Sequence, residues 1–336
     1  MSQNQSQNLN ELGIDLSKET FDVMLRKTSK ERIHAKFENN KKGFDKLGRW
    51  LKKHDAKKVH ACMEATNNYW EDLSEYLYEK GHTVSVVNPR QIKGFATSQL
   101  KRNKTDKLDS EVILDYCIKM SPKAWTPPTP EQRQLRSYMR HRDALIKTRT
   151  QQKNRLKDCK DEYVRKSIQS LIDSINKQIK DMMQKVNELV KDNELLNKQK
   201  RLLISIKGIG NIVALTIMAE MPDIADYESA HAAAADIGVT PAYYESGDTI
   251  RRTPHISKIG KSAVRGVLYL PAMNAIRTNP VVKALADRLV AKGKNGKVII
   301  VAAMRKLIHL AYGVLKNQTP FNPEWQSKPN PKPVAA

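Results

Sequence analysis

Paired cysteines are missing from this chain: Cys62, Cys117 and Cys159 are its only three, and no two share a Cys-x-x-Cys spacing. That excludes a disulfide framework and a cysteine zinc site, and predicts reduced thiols in a cytosolic protein. No segment reads as the roughly 20 apolar residues that span a bilayer. The polar start Ser2-Gln3-Asn4-Gln5 does not read as a signal peptide. Acidic residues are scarce relative to basic ones, 36 against 59, for a formal charge of +23. The excess is uneven: +5 over residues 1–120, and +9 each over 121–200 and 201–336. A polyanion is the expected partner, with nucleic acid favoured over a membrane.

Glycine and proline are absent from 131–200 and concentrated elsewhere, which divides the chain. Residues 1–120 read as an α/β domain. Strands are predicted over Leu12–Ser17, Thr20–Arg26 and Arg32–Phe37, then a helix over Asn40–His54 and a strand Val59–Met63 ending on Glu64. A helix over Asn67–Lys80, a strand Thr83–Val87 and helices Arg90–Leu100 and Thr105–Met120 follow. That order matches a ribonuclease H-like (RuvC-like) fold. Residues 121–130, with four prolines, read as a linker. Residues 131–200 read as a helical arm: Ile168, Leu171, Ile175, Ile179, Met182, Val186 and Leu189 form a near-heptad seam that predicts an antiparallel or intermolecular coiled coil. Arg133, Arg136, Arg140 and Lys147 share a basic stripe on its first half, suited to nucleic acid or simply to a solvated face. Residues 201–320 read as a mostly α unit and 321–336 as a disordered tail. Ile206–Ala214 and Ile259–Ala263 carry Gly spacings like helix-hairpin-helix elements, which present backbone N–H groups to phosphate.

The chemistry rests on carboxylates. Asp15 sits between Ile14 and Leu16 on a predicted strand, where ionisation is costly without a cation. Glu64 ends a strand expected beside it, and Asp106 and Asp109 are spaced i, i+3 on one helix face. Four converging carboxylates need a divalent ion, and magnesium suits their charge and hardness, with manganese able to substitute. Two ions about 4 Å apart would clamp an in-line phosphoryl transfer. Asp106 and Asp109 also have a plainer use, balancing Lys104 and Lys107.

Gly-Ile-Asp-Leu-Ser-Lys at 13–18, Glu-Ala-Thr at 64–66, Asn88-Pro89 and Lys-Thr-Asp-Lys-Leu-Asp at 104–109 resemble the DEDD domain of bridge-RNA-guided insertion-sequence transposases, the recombinases related to Piv-type DNA invertases. Gly-Val-Thr-Pro…Glu-Ser-Gly at 238–247 and Lys-Ile-Gly-Lys-Ser-Ala-Val-Arg at 258–265 resemble that family's second block, the C-terminal transposase domain. The resemblance runs from Leu12 to about Pro320, with one departure: Asn67 stands where the family has Gly after Glu-Ala-Thr. Asn tolerates the same backbone angles.

The resemblance implies magnesium on Asp15, Glu64, Asp106 and Asp109, and Ser246 as nucleophile, forming a phosphoserine link to DNA and freeing a 3′ hydroxyl. It implies donor and target duplexes as substrates, a noncoding bridge RNA as guide, and dimers assembling into a tetramer in the cytoplasm of a prokaryote, at the nucleoid. Arg251, Arg252, Lys258, Lys261 and Arg265 are the candidate phosphate contacts near Ser246. No general base stands out, His255 being the nearest histidine in sequence. Two other readings compete: a RuvC-like junction-resolving nuclease in which water attacks, and a non-catalytic nucleic-acid scaffold.

Overall fold

A computed structural model describes residues 10–28, 31–99, 105–242, 245–246, 250–251 and 255–324, with backbone alone at 242, 245–246 and 250–251. The chain divides into two units, Met1–Pro127 and Pro128–Ala336.

In the first unit, β1 (Asn10–Leu16), β2 (Thr20–Arg26), β3 (Arg32–Glu38), β4 (Val59–Glu64) and β5 (Thr83–Val87) form one sheet in the order β3-β2-β1-β4-β5. The β1–β2 and β2–β3 pairs are antiparallel, whereas β1–β4 and β4–β5 are parallel. Strand alternation gives each face its own helices. Leu12, Ile14, Leu16, Val23, Ala61 and Met63 pack with Phe44, Leu47 and Leu51 of α1 (Lys41–Lys53) and with Leu73 and Leu77 of α2 (Glu71–Glu79). On the opposite face Cys62 and Val87 pack with Ile92 of α3 (Pro89–Ser98) and with Val112, Ile113, Tyr116 and Cys117 of α4 (Asp106–Met120).

Gly13 sets how closely α4 lies on the sheet. A Cβ there would stand 2.3 Å from both the Leu114 nitrogen and the Ser110 carbonyl oxygen, so only a bare α-carbon fits. The structure shortens one predicted helix: α2 starts at Glu71, not Asn67. Asn67 adopts φ +50°, the left-handed region, which no α-helix start accommodates but which Asn, like Gly, tolerates. The proline-rich segment is packed in its first half rather than free. Ser85 Oγ donates to the carbonyls of Pro122 and Lys123, the Trp125 N–H donates to Val84 O at 2.7 Å, and the Trp125 ring meets Trp70.

The second unit is helical. Helices α5 (Pro130–Asp158) and α6 (Glu162–Asp192) form a hairpin, closed where Arg165 donates to the Leu156 and Cys159 carbonyls. The α6 residues fully buried are Ile168, Ile172, Ile175, Val186 and Val190. Leu171, placed in the seam from sequence, is 46% exposed, because the buried stripe passes through Ile172 instead. Leu135, Met139, Val186 and Val190 at the hairpin base join one core with α7 (Glu194–Ile204), α8 (Asn211–Glu220), α9 (Ala230–Asp236), α10 (Ser262–Thr278), α11 (Pro280–Ala291) and α12 (Gly296–Asn317). By length and composition α12 could cross a membrane, contrary to the expectation from sequence. Its Ala303, Met304, Leu307, Ile308, Ala311, Val314 and Leu315 are buried in this core, the ordinary position of a central helix.

Between α9 and α10 the chain doubles back as a stem. Strand β6 (Pro241–Ala242) pairs with β9 (His255–Ile256), and above them β7 (Glu245–Ser246) pairs with β8 (Ile250–Arg251), Ser246 opposite Ile250. Below, the Ser257, Lys258 and Lys261 N–H groups donate to the Thr240, Gly238 and Asp236 carbonyls. Gly260, at φ +102°, is required there, since its Cβ would overlap the Asp236 carbonyl oxygen.

Candidate active site

The β1–β2 register pairs Asp15 directly with Asp22, and the β2–β3 register pairs Asp22 with Lys36. On the other side, Ile14 pairs with Met63, so Asp15 and Glu64 are the next residues of their strands. Side chains alternate along a strand, so Lys36, Asp22, Asp15 and Glu64 form one row on the face that carries α4. Thr105 caps α4, accepting from the Leu108 N–H, and places Asp106 and Asp109 in its first turn. Acids are favoured at a helix N-terminus in any protein. Here the close seating of α4 on Gly13 also brings that turn to the row.

Burial, then Asp109, Glu64, Asp106 and Asp22 in turn, push the Asp15 carboxyl up to about 6. The other three acids predicted from sequence therefore all act on Asp15. Asp15, Glu64 and Asp109 are partly buried, and Asp106 is exposed. Glu64 accepts from Thr66 Oγ1 at 3.0 Å.

Three residues of this site escaped sequence reasoning. Asp22 is buried, with His34 Nε2 donating to Oδ1 at 2.8 Å and Lys36 Nζ 3.0 Å from Oδ2. The same Nζ lies 3.3 Å from Asp106 Oδ2, and its bonds to Asp22 and Asp106 raise the Lys36 ammonium above its ordinary value. Asp22 carries the signal that singled out Asp15, a lone acid between apolar residues, Phe21 and Val23.

The set suits a hard divalent cation in kind: carboxylate oxygens, with four acidic neighbours acting on Asp15. In spacing it is open. Among the described residues no three acid, imidazole or thiol groups converge closely enough to close on one ion. A bound ion would draw on Asp15, Glu64, Asp106 and Asp109.

The basic candidates divide by what they already hold. Arg140 makes a two-pronged pair with Glu220, at 2.8 and 2.9 Å. Burial opposes ionisation of Glu220, but Arg140, Arg136 and Lys261 together hold it below the usual carboxylate range. Arg136 also donates to Ala219 O, Lys261 Nζ to Glu220 O at 2.6 Å, and Arg265 to Ile237 O at 2.8 Å. These contacts brace the second unit. Lys147 and Lys258 are exposed. Arg252 and the side chains of Ser246 and Arg251 lie outside the described residues, and His255 is exposed on β9.

Comparison with known proteins bears on this arrangement. Residues 12–164 match the model described as DEDD_Tnp_IS110, Transposase, which takes in β1 through α5 and the whole acid row. Residues 200–287 match Transposase IS116/IS110/IS902 family, which takes in the stem. A pilin gene-inverting protein of Moraxella lacunata is 31% identical over 93% of this chain and 97% of its own length. The chain belongs to the IS110/IS116 transposase family. More distant relatives include a probable family 20 transposase of Pseudomonas aeruginosa, 22% identical over 79% of this chain and 85% of its own length. The transposase for insertion sequence element IS1328 of Yersinia enterocolitica is 23% identical over 74% and 82%. This IS110/IS116 protein is thus a DNA transposase/recombinase, and its two matched segments are the two that carry the acid row and Ser246.

Proposed function

We propose that this transposase, through a ribonuclease H-like first unit, cuts and rejoins DNA by attack of Ser246 on a phosphodiester, using the acid row to hold magnesium. The observation that carries the reading is the gathering of Asp15, Glu64 and the first turn of α4 on one sheet face, with Asp15 pushed up to about 6 by burial and its acidic neighbours. Magnesium held there, as one ion or two, would supply positive charge for the phosphate oxygens. Ser246 Oγ forms the bond to phosphorus as the bond to the 3′ oxygen breaks. The hydroxyl proton passes in net to the departing 3′ oxygen, and a phosphoserine link remains. Phosphodiester energy is kept in that link, so rejoining needs no nucleotide hydrolysis.

The partners in this reading are donor and target duplexes and a noncoding bridge RNA, in a prokaryotic cytoplasm at the nucleoid. Base pairing to the RNA would choose the target, leaving the protein to hold backbone. Lys147, Arg251, Arg252 and Lys258 are the side chains we assign to phosphate. The working form is a dimer or tetramer, with α5 and α6 as its assembly arm.

Strand exchange with the element's own RNA tests the proposal. Asp15→Asn and Ser246→Ala each abolish it, and full recombination by either variant refutes the assignment. A covalent protein–DNA species is trapped from the wild type and not from Ser246→Ala. Its absence from the wild type, with cleavage intact, means that water attacks. Mixing the two inactive variants restores exchange if acid row and serine come from different copies.

A further inference from the structure

The row of acids across the sheet ends on a cation. Lys36 stands opposite Asp22 in the β2–β3 register, with Nζ 3.0 Å from Asp22 Oδ2. Asp22 is 5% exposed and is held from its other oxygen by His34, so it is a fixed seat for the ammonium. From that seat the same nitrogen reaches Asp106 Oδ2 at 3.3 Å. The Asp106 side chain is 69% exposed, whereas Asp15, Glu64 and Asp109 are partly buried. A second tie from β3, Arg32 to Glu111 and Asp115 at 2.7 and 2.8 Å, fixes the next turns of α4 without touching the row. Lys36 therefore ties β3 both to Asp22 of the row and to Asp106 in the first turn of α4.

A cation in that position has two opposed effects. It offsets repulsion among the carboxylates, and it disfavours any second cation placed nearby. It also occupies an oxygen of Asp106, in keeping with the open spacing of the acids. We propose that Lys36, seated on Asp22, is a positioning residue that holds Asp106 at the acid row in the metal-free protein and must release it when a divalent cation is bound. The inference rests on the reading of the row as a magnesium site.

The test is thermal melting of the purified full-length protein in EDTA and across a magnesium titration, for wild type, Lys36→Met and Lys36→Arg. Lys36→Met is expected to melt about 2 °C or more below wild type in EDTA, since the row loses its cation. Its melting temperature then rises further with magnesium than the wild type's, and half the rise is reached at a concentration at least about threefold lower. Lys36→Arg keeps the charge and returns both values toward wild type. Lys36→Gln replaces Lys36→Met should the latter not fold. An unchanged melting temperature in EDTA, or a magnesium response no stronger than wild type's, overturns the proposal while leaving the metal site standing. If wild type and Asp15→Asn both ignore magnesium, the metal reading fails and this inference falls with it.

Discussion

Asp15 and Asp22 face each other directly across the β1–β2 ladder, and of the two only Asp22 has cationic partners among the described residues. Like charges directly opposite in an antiparallel pair repel. The structure resolves this by giving Asp22 to His34 and Lys36, while the charged neighbours that shift Asp15 are all acids. Opposed charge at a partly desolvated position is a stability cost that a functional site can carry.

Removing that charge without changing shape should stabilise the fold and end the chemistry. Asp15→Asn is expected to melt about 2–4 °C above wild type at pH 7 in EDTA, for roughly 1 kcal/mol of relieved repulsion. It should show no strand exchange at any magnesium concentration. Calorimetry beside the recombination assay reads both outcomes.

Gly13 is the position on which the site's depth depends. Gly13→Ala drives a methyl group into the α4 backbone, which cannot yield as a side-chain end could. The expected cost is at least about 2–3 kcal/mol, read from the urea midpoint. The magnesium-dependent rise in melting temperature should shrink with it, because α4 carries Asp106 and Asp109 away from β1 and β4.

The basic residues should separate into two groups. Lys147→Gln and Lys258→Gln are expected to leave stability unchanged and each to lower the slope of log Kobs against log salt by about one unit, as for one lost phosphate contact. Arg140→Gln should instead cost about 1–2 kcal/mol by stranding the Glu220 carboxylate, only 11% exposed. A double-mutant cycle with Glu220→Gln should return a coupling of about 1 kcal/mol. Equal salt slopes and no coupling would show the pairing to be idle.

His309 gives the second unit a pH dependence. Burial, then His231, Arg305 and Lys306, lower its imidazole from 6.5 to about 4, and its Nε2 is buried with no hydrogen-bond partner among the described residues. The unfolded chain therefore takes up a proton before the folded one does. Stability from this group is complete above about pH 6.5 and is lost as pH falls through about 4. Since the ring is only half-buried, about 1–2 kcal/mol is expected in that window. His309→Leu should flatten this part of the stability profile, read by urea melts between pH 7 and 4.

Much of this protein was legible one residue at a time. Alternation and helical periodicity placed β1–β5 and α1, α3 and α4 to within two residues, because a half-buried strand or amphipathic helix writes its inner face into the chain. Asp15 and Glu64 stood out as acids in apolar strands. Asn67 could be read as a glycine substitute, and it does adopt a positive φ. The seam of α6 was misread at Leu171, since a near-heptad count fits Ile172 equally well and the partner helix makes the choice.

Strand alternation, charge balance and the four acids are properties of the amino-acid order, since each follows from local geometry or simple counting. The pairing of Asp22 with Asp15, the seating of Lys36 between Asp22 and Asp106, and the use of Arg140, Lys261 and Arg265 as internal braces were decided only by the tertiary structure. Strand order and register set which side chains become neighbours, and the next charge in space, not in sequence, fixes whether a charged residue holds a ligand or holds the fold.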